Sequence, residues 1–126
     1  MALDDQGQVW VWGRGDSGQL GLDSYESLSK PIRLPNLPIC KAIAAGSFFS
    51  VAITTEKSEN TYGWGYGEMG QLSNGSCDSN IPMKMDLNGR TGVSVSAGGQ
   101  HTVILVREDP DAFPEEGLIP TDLSDE

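Results

Sequence analysis

Few residues in this chain have side chains of the type and setting that do chemistry. The single histidine, His101, sits in GGQHTVILV immediately before an apolar run. An imidazole both donates and accepts and can carry charge near neutral pH, so His101 is the first candidate for a working group, with Gln100 beside it long enough to reach a partner. Two runs, Gly13-Arg14-Gly15-Asp16-Ser17-Gly18 and Gly65-Tyr66-Gly67-Glu68-Met69-Gly70, fit G-x-G-x-x-G letter for letter. A dinucleotide loop, however, must open a helix within a βαβ unit. Neither run does, and each carries an acid where a pyrophosphate would lie. Cys40 and Cys77 stand 37 residues apart with no C-x-x-C spacing and no neighbouring histidine, which argues against a metal site and for reduced, packed thiols. Asp4-Asp5 and the other acids have no second histidine or serine setting with which to form a hydrolytic centre. No cofactor, no metal and no covalent chemistry are therefore expected.

The elements that must position His101 emerge from a repeat. VWVWGRGDSGQLGL at residues 9–22 recurs as TYGWGYGEMGQLSN at 61–74, an offset of 52, and the shared skeleton is W-G-x-G-x-x-G-Q-L. IAAGSFFSVAITT at 43–55 matches VSAGGQHTVILVR at 95–107 with the same offset, and Pro31 pairs with Pro82 at 51. A period near 50 made of several short strands indicates a propeller blade rather than a helical solenoid. Segments bounded by Gly, Pro or Asn and rich in β-branched and aromatic residues predict eight strands: 8–13, 32–34, 40–45, 50–55, 61–65, 83–87, 93–97 and 102–107. Their sum is about two blades of four strands each. Glycines at 16 of 126 positions, about twice the average of ~7%, fit tight turns and crowded inner strands. Gly46 and Gly98 are expected where no side chain fits, and Gly18-Gln19-Leu20 as turn, polar brace and apolar plug. The spacing of Trp10, Trp12 and Trp64 places at least two of them in core or interblade packing.

Charge divides the chain. The formal net charge is −10, yet residues 107–126 hold eight of the 18 acids and one of the eight bases. Residues 1–107 are read as a partial propeller, with repeat copies at about 9–55 and 61–107. Residues 108–126 are read as an acidic, disordered tail. Without a basic patch to release phosphate counterions, direct nucleic-acid binding is not expected. No leader or membrane-length apolar run is visible at the sequence level, in keeping with an intracellular, soluble chain.

W-G-x-G-x-x-G-Q-L, a proline-led strand, then A-G-x-x-(H)-(S/T)-x-x-(L/I), resembles the repeat of the regulator of chromosome condensation family over residues 2–107. The resemblance implies a seven-bladed β-propeller of which this chain holds about the last two blades, an incomplete ring needing the remaining blades of a longer protein. It also implies a nucleus-located guanine-nucleotide exchange factor for the small GTPase Ran, in which a closing-repeat histidine lies on the GTPase-binding face with an aspartate and a histidine from earlier blades. His101 alone inherits that catalytic position, with Gln100 as a neighbouring contact. Phe49 stands where the first copy would carry its histidine, so a structural role for His101 is the competing reading. A non-catalytic protein-interaction module is the alternative function. Two blades alone should leave apolar faces open and be inactive and either marginally stable or associated.

Overall fold

The structure, a computed structural model, describes residues 1–35, 37–57, 59–67 and 78–107. Among the described residues nine short strands follow one another: β1 (Ala2–Leu3), β2 (Val9–Gly13), β3 (Leu28–Arg33), β4 (Cys40–Ala45), β5 (Phe49–Thr54), β6 (Thr61–Gly65), β7 (Ser79–Lys84), β8 (Thr91–Ala97) and β9 (Thr102–Arg107). The described residues contain no helix. The strands form three antiparallel sheets, ordered β1-β2-β3, β4-β5-β6-β7 and β8-β9. One blade is complete; its neighbours contribute three strands and two.

Each sequence repeat thus straddles two sheets, because a repeat begins at the Trp-Gly strand whereas a sheet begins at the Ala-Gly strand. The 9–55 copy gives β2 and β3 to the first sheet and β4 and β5 to the second. The ninth strand, β1, is too short to show an alternating pattern. β3 and β7 begin four residues earlier than the sequence suggests, at Leu28 and Ser79. The apolar residues that mimic strand continuation, Leu34 and Met85, lie just beyond them, buried. They hold the ladder by a single bond each, Leu34 N to Val9 O and Met85 N to Thr61 O, both 2.8 Å. Pro31 and Pro82 lack an N–H and occupy the outermost strands, where no further strand needs it.

The Trp-Gly pair is a bulge device. Register shifts between Val11 and Gly13 and between Gly63 and Gly65, and the two glycines have φ of 99° and 102°. A Cβ on Gly65 would lie 2.6 Å from Phe48 O and 2.7 Å from Phe49 Cα, so both the dihedral and the close approach exclude a side chain.

Two apolar layers join the sheets. Val9, Val11, Leu20, Leu34, Cys40, Ala52 and Trp64 fill the space between the first and second sheets. Phe49, Val51 and Met85 meet Val95, Ala97 and Ile104 of the third. Polar ties reinforce both junctions. Gln19 O accepts from Trp64 Nε1 and from Ser50 Oγ, each at 2.8 Å. Buried Asn60 donates to Thr54 O and Gly92 O and accepts from Gly92 N at 2.7 Å. Gln19 braces its own turn as expected, its Oε1 accepting from Ser17 N, and Leu20 is the plug at 5% exposure. The corresponding Gln71 and Leu72 lie outside the described residues, as do Cys77 and the acidic stretch 108–126. Trp64 is fully buried, Trp10 is half-buried with its indole donating to Asp4 Oδ2, and Trp12 is 40% exposed.

Candidate partner-binding face

The loops β4–β5 and β8–β9 are built alike, and together they set where His101 stands. In the first, Gly46 N donates to Phe49 O at 2.8 Å; in the second, Gly98 N donates to His101 O at 2.9 Å. The aromatic ring then folds back over its own glycine, so that a methyl group on Gly46 would collide with the Phe49 ring and one on Gly98 with the His101 imidazole. Here is the reason for the two Ala-Gly pairs. The loops also approach each other, since a Cβ on Gly46 would come within 2.6 Å of Gly98 O. Phe49 is 1% exposed and belongs to the core between second and third sheets, whereas His101 is exposed. The main chain of His101 closes the loop, leaving its imidazole on the surface.

Gln100 is exposed as well and opens onto a cleft of about 300 Å³ that it lines with Ser17, Phe48 and Tyr66. Phe48 holds Tyr66 in place by accepting a hydrogen bond from Tyr66 N at 2.9 Å. The Arg14 guanidinium lies over the Phe48 ring, 5.6 Å from its centroid, and bonds Asp16 at 2.9 Å. That bond holds the Asp16 carboxyl below the usual carboxylate range and raises Arg14. Both side chains are more than half exposed, so the pair contributes orientation rather than appreciable stability. The cleft therefore combines two aromatic rings and an amide, with an arginine stacked on one of the rings, and Tyr and Arg are residue types enriched where proteins meet other proteins. Gln100 and His101 are adjacent in sequence but serve different surfaces: Gln100 faces the cleft, while His101 folds over Gly98.

Sequence reasoning singled out Gln100 and His101 and missed Arg14, Phe48 and Tyr66. The repeat offset carries the signal, because Phe48 is the counterpart of Gln100 and Arg14 that of Tyr66, each 52 residues apart. Among the described residues no group of three or more His, Cys, Asp or Glu side chains could hold a metal ion. No helix among them is long and apolar enough to cross a membrane. Cys40 is buried, its Sγ donating to Pro38 O at 3.3 Å, and burial pushes the thiol up to about 11 with the nearby Glu56 carboxylate adding to the rise. A proton held so firmly leaves no nucleophile at neutral pH.

Sheets of antiparallel strands with this loop pattern, packed face to face in sequence order, are blades of a β-propeller. The regulator of chromosome condensation (RCC1) repeat matches residues 6–53 and 59–105, and the chain belongs to that family. It is 37% identical over 113 residues to the regulator of chromosome condensation of Xenopus laevis, covering 86% of this chain and 26% of the relative. Over 113 residues it is also 33% identical to the human E3 ubiquitin-protein ligase HERC2, again 86% of this chain but 2% of that protein. Among solved structures, Prp20p of Saccharomyces cerevisiae superposes with a TM-score of 0.79 at 25% identity, covering 87% of this chain and 29% of that one. That structure was reported together with the binding of Prp20p to Gsp1p and histones. The chain spans about a quarter of the length of the regulators of chromosome condensation it matches.

Proposed function

We propose that residues 1–107 supply the closing part of the GTPase-binding face of a nuclear guanine-nucleotide exchange factor for Ran, and that they are insufficient for exchange without further blades. The observation that carries the reading is the position of His101 at the end of a loop that matches the family's repeat, beside an exposed Gln100. An exchange factor breaks no bond of the nucleotide. It binds the nucleotide-free GTPase more tightly than the loaded one, and that difference in affinity drives release. In this scheme His101 is the contact whose loss reduces exchange, and Gln100 contributes to docking. The similarity of Prp20p, with its reported binding to Gsp1p, supports this choice of partner.

A non-catalytic interaction module is the second reading, favoured by the similarity to HERC2, a ubiquitin-protein ligase by name. One experiment separates them: residues 1–107 replace the matching segment of the Xenopus regulator, and release of fluorescent GDP from Ran is followed. The exchange reading expects a working chimera that His101→Ala slows at least tenfold. A working chimera indifferent to His101→Ala removes the residue's assigned role. An inactive chimera of native melting temperature overturns the exchange reading and leaves the interaction module.

A further inference from the structure

Asn88 and Gly89 form the tip of the turn that leads from β7 to β8. Their φ values of 56° and 79°, with Arg90 N donating to Leu87 O at 3.1 Å, fit a type I′ turn, for which Asn-Gly is a favoured pair. The pair also has a reactivity of its own. The side-chain amide of an asparagine is open to attack by the next main-chain nitrogen, and a glycine there has no Cβ to screen the approach. Asn88 is exposed, and among the described residues its side-chain amide makes no hydrogen bond. A Cβ on Gly89 would meet nothing within 4 Å, so nothing crowds the attacking nitrogen.

Against this reactivity stands Glu59. Its Oε2 accepts from Leu87 N at 3.0 Å and from Gly89 N at 3.1 Å, so one carboxylate oxygen holds the amides on both sides of Asn88. Glu59 reaches the turn from the loop between β5 and β6, and its own N–H donates to Arg90 O at 3.2 Å. Its backbone has φ 49°, in the left-handed region where a non-glycine residue is uncommon. An unfavourable backbone kept at one position points to a task for the side chain it carries.

We propose that Asn88 is a site of spontaneous deamidation and isoaspartate formation, and that Glu59 is the restraint that slows it. In the reaction Gly89 N gives its proton to water and forms a bond to Asn88 Cγ. The Cγ–Nδ2 bond breaks, and the departing nitrogen takes a proton from water and leaves as ammonia. Water then opens the five-membered imide at either carbonyl. One route gives aspartate; the other gives isoaspartate, whose main chain runs through the side-chain carbon. In sum, one water is consumed and one ammonia released. Glu59 opposes the first step in two ways. Its negative charge, 3.1 Å from Gly89 N, disfavours the anionic nitrogen that attacks. Its two hydrogen bonds also fix the turn, so that the nitrogen is held away from Cγ. Isoaspartate adds a main-chain atom between Leu87 and Gly89, and the lengthened turn no longer seats both amides on Glu59. The inference needs nothing from the GTPase reading.

Incubation of the chain at physiological temperature and pH, followed by peptide mapping with mass spectrometry that separates aspartate from isoaspartate, tests it. The chain in guanidinium chloride gives the unrestrained rate, and Asn74-Gly75 in the same digests is the internal reference. Isoaspartate at residue 88 is expected to form about tenfold faster in denaturant than in the native chain, the factor that a hydrogen bond to a charged group supplies. Glu59→Ala should recover most of that factor in the native chain while the β5 amides stay protected from hydrogen exchange. Glu59→Gln, which keeps an acceptor but no charge, should fall between. If Glu59→Ala unprotects β5, the Glu59→Gln rate alone decides. An Asn88 that stays intact in denaturant overturns the proposal, as does a native chain that reacts as fast as the denatured one. Native rates that neither substitution changes overturn it as well.

Discussion

The indole of Trp64 donates to the main-chain carbonyl of Gln19, 45 residues earlier and in the neighbouring sheet, at 2.8 Å. Ser50 Oγ shares the same oxygen, so one carbonyl pins two strands of the second sheet to the loop of the first. Removing one donor leaves the other. Trp64→Phe should therefore cost about 1 kcal/mol from the hydrogen bond plus a small packing loss, and Ser50→Ala about the same. The double substitution should exceed their sum by about 1 kcal/mol, because only then does the partly buried carbonyl lose both donors. Urea unfolding of the four proteins of this cycle measures the excess.

Asn60 stitches the second sheet to the third through two hydrogen bonds to Gly92, and a third ties it to Thr54 of the second sheet itself. Asn60→Ala orphans the N–H and C=O of buried Gly92 together with Thr54 O, at about 1–3 kcal/mol for each group left unpaired. A total loss of about 3–5 kcal/mol is expected. Asn60→Asp should be no milder, since a carboxylate would face two carbonyl oxygens. The Gly92 amide, followed by hydrogen exchange, should lose protection before the amides of β5 and β6 do.

The two Ala-Gly turns predict an asymmetry. Gly46→Ala drives a methyl group toward the buried Phe49 ring and within 2.6 Å of Gly98 O, neither of which can yield. Gly98→Ala meets the exposed His101 imidazole, which can swing into solvent. Thermal melting should show a loss of about 2–3 kcal/mol for Gly46→Ala and less than about 1 kcal/mol for Gly98→Ala. The latter should nevertheless alter partner binding if His101 belongs to the face proposed above.

Asp4 gives the fold an acid-sensitive joint. The Trp10 indole, then the Gln8 and Gln6 amides, hold its carboxyl below the ordinary value of 3.8. A depressed carboxylate contributes stability that is present above the unfolded value and is lost as pH falls through the folded one. Stability should thus decline below about pH 4, with the Trp10 indole proton shifting in step by NMR. Asp4→Asn should flatten that part of the profile.

Cys40 behaves in the opposite sense. Its thiol is raised from 9.0 to about 11, so the stabilisation from keeping it neutral is present below pH 9 and lost as pH rises through 11. At pH 8 the shift alone lowers the thiolate fraction ~100-fold. Alkylation of Cys40, mapped by mass spectrometry, should be at least that much slower in the native chain than in urea.

The propeller class was legible because its signals are local and doubled. Trp12-Gly13 and Trp64-Gly65 mark the same bulge, and Gln19 and Leu20 perform the brace and plug that their types suggest. The strand limits at 79–84 and 28–33 were less so, since Met85 and Leu34 are buried by the layer between sheets and not by belonging to a strand. β1 has two residues and no pattern to read. At the candidate face, His101 could be found by composition, being unique. The offset of 52 marks Phe48 as the counterpart of Gln100 and Arg14 as that of Tyr66, but their convergence, a guanidinium over a ring and a carbonyl bonded 18 residues onward, arises only through folding. The exposure of His101 against the burial of Phe49 likewise reflects which sheet has a neighbour, a property of position in the array rather than of the residue.

That each sequence unit is shared between two sheets has a bearing on how such chains grow. Copying the stretch from one Trp-Gly strand to the next inserts the outer half of one blade and the inner half of its successor, so the new junction arrives already threaded through both. Recombination anywhere along the unit conserves this interlocking, and the blade number can change by whole steps without any seam being held by side chains alone.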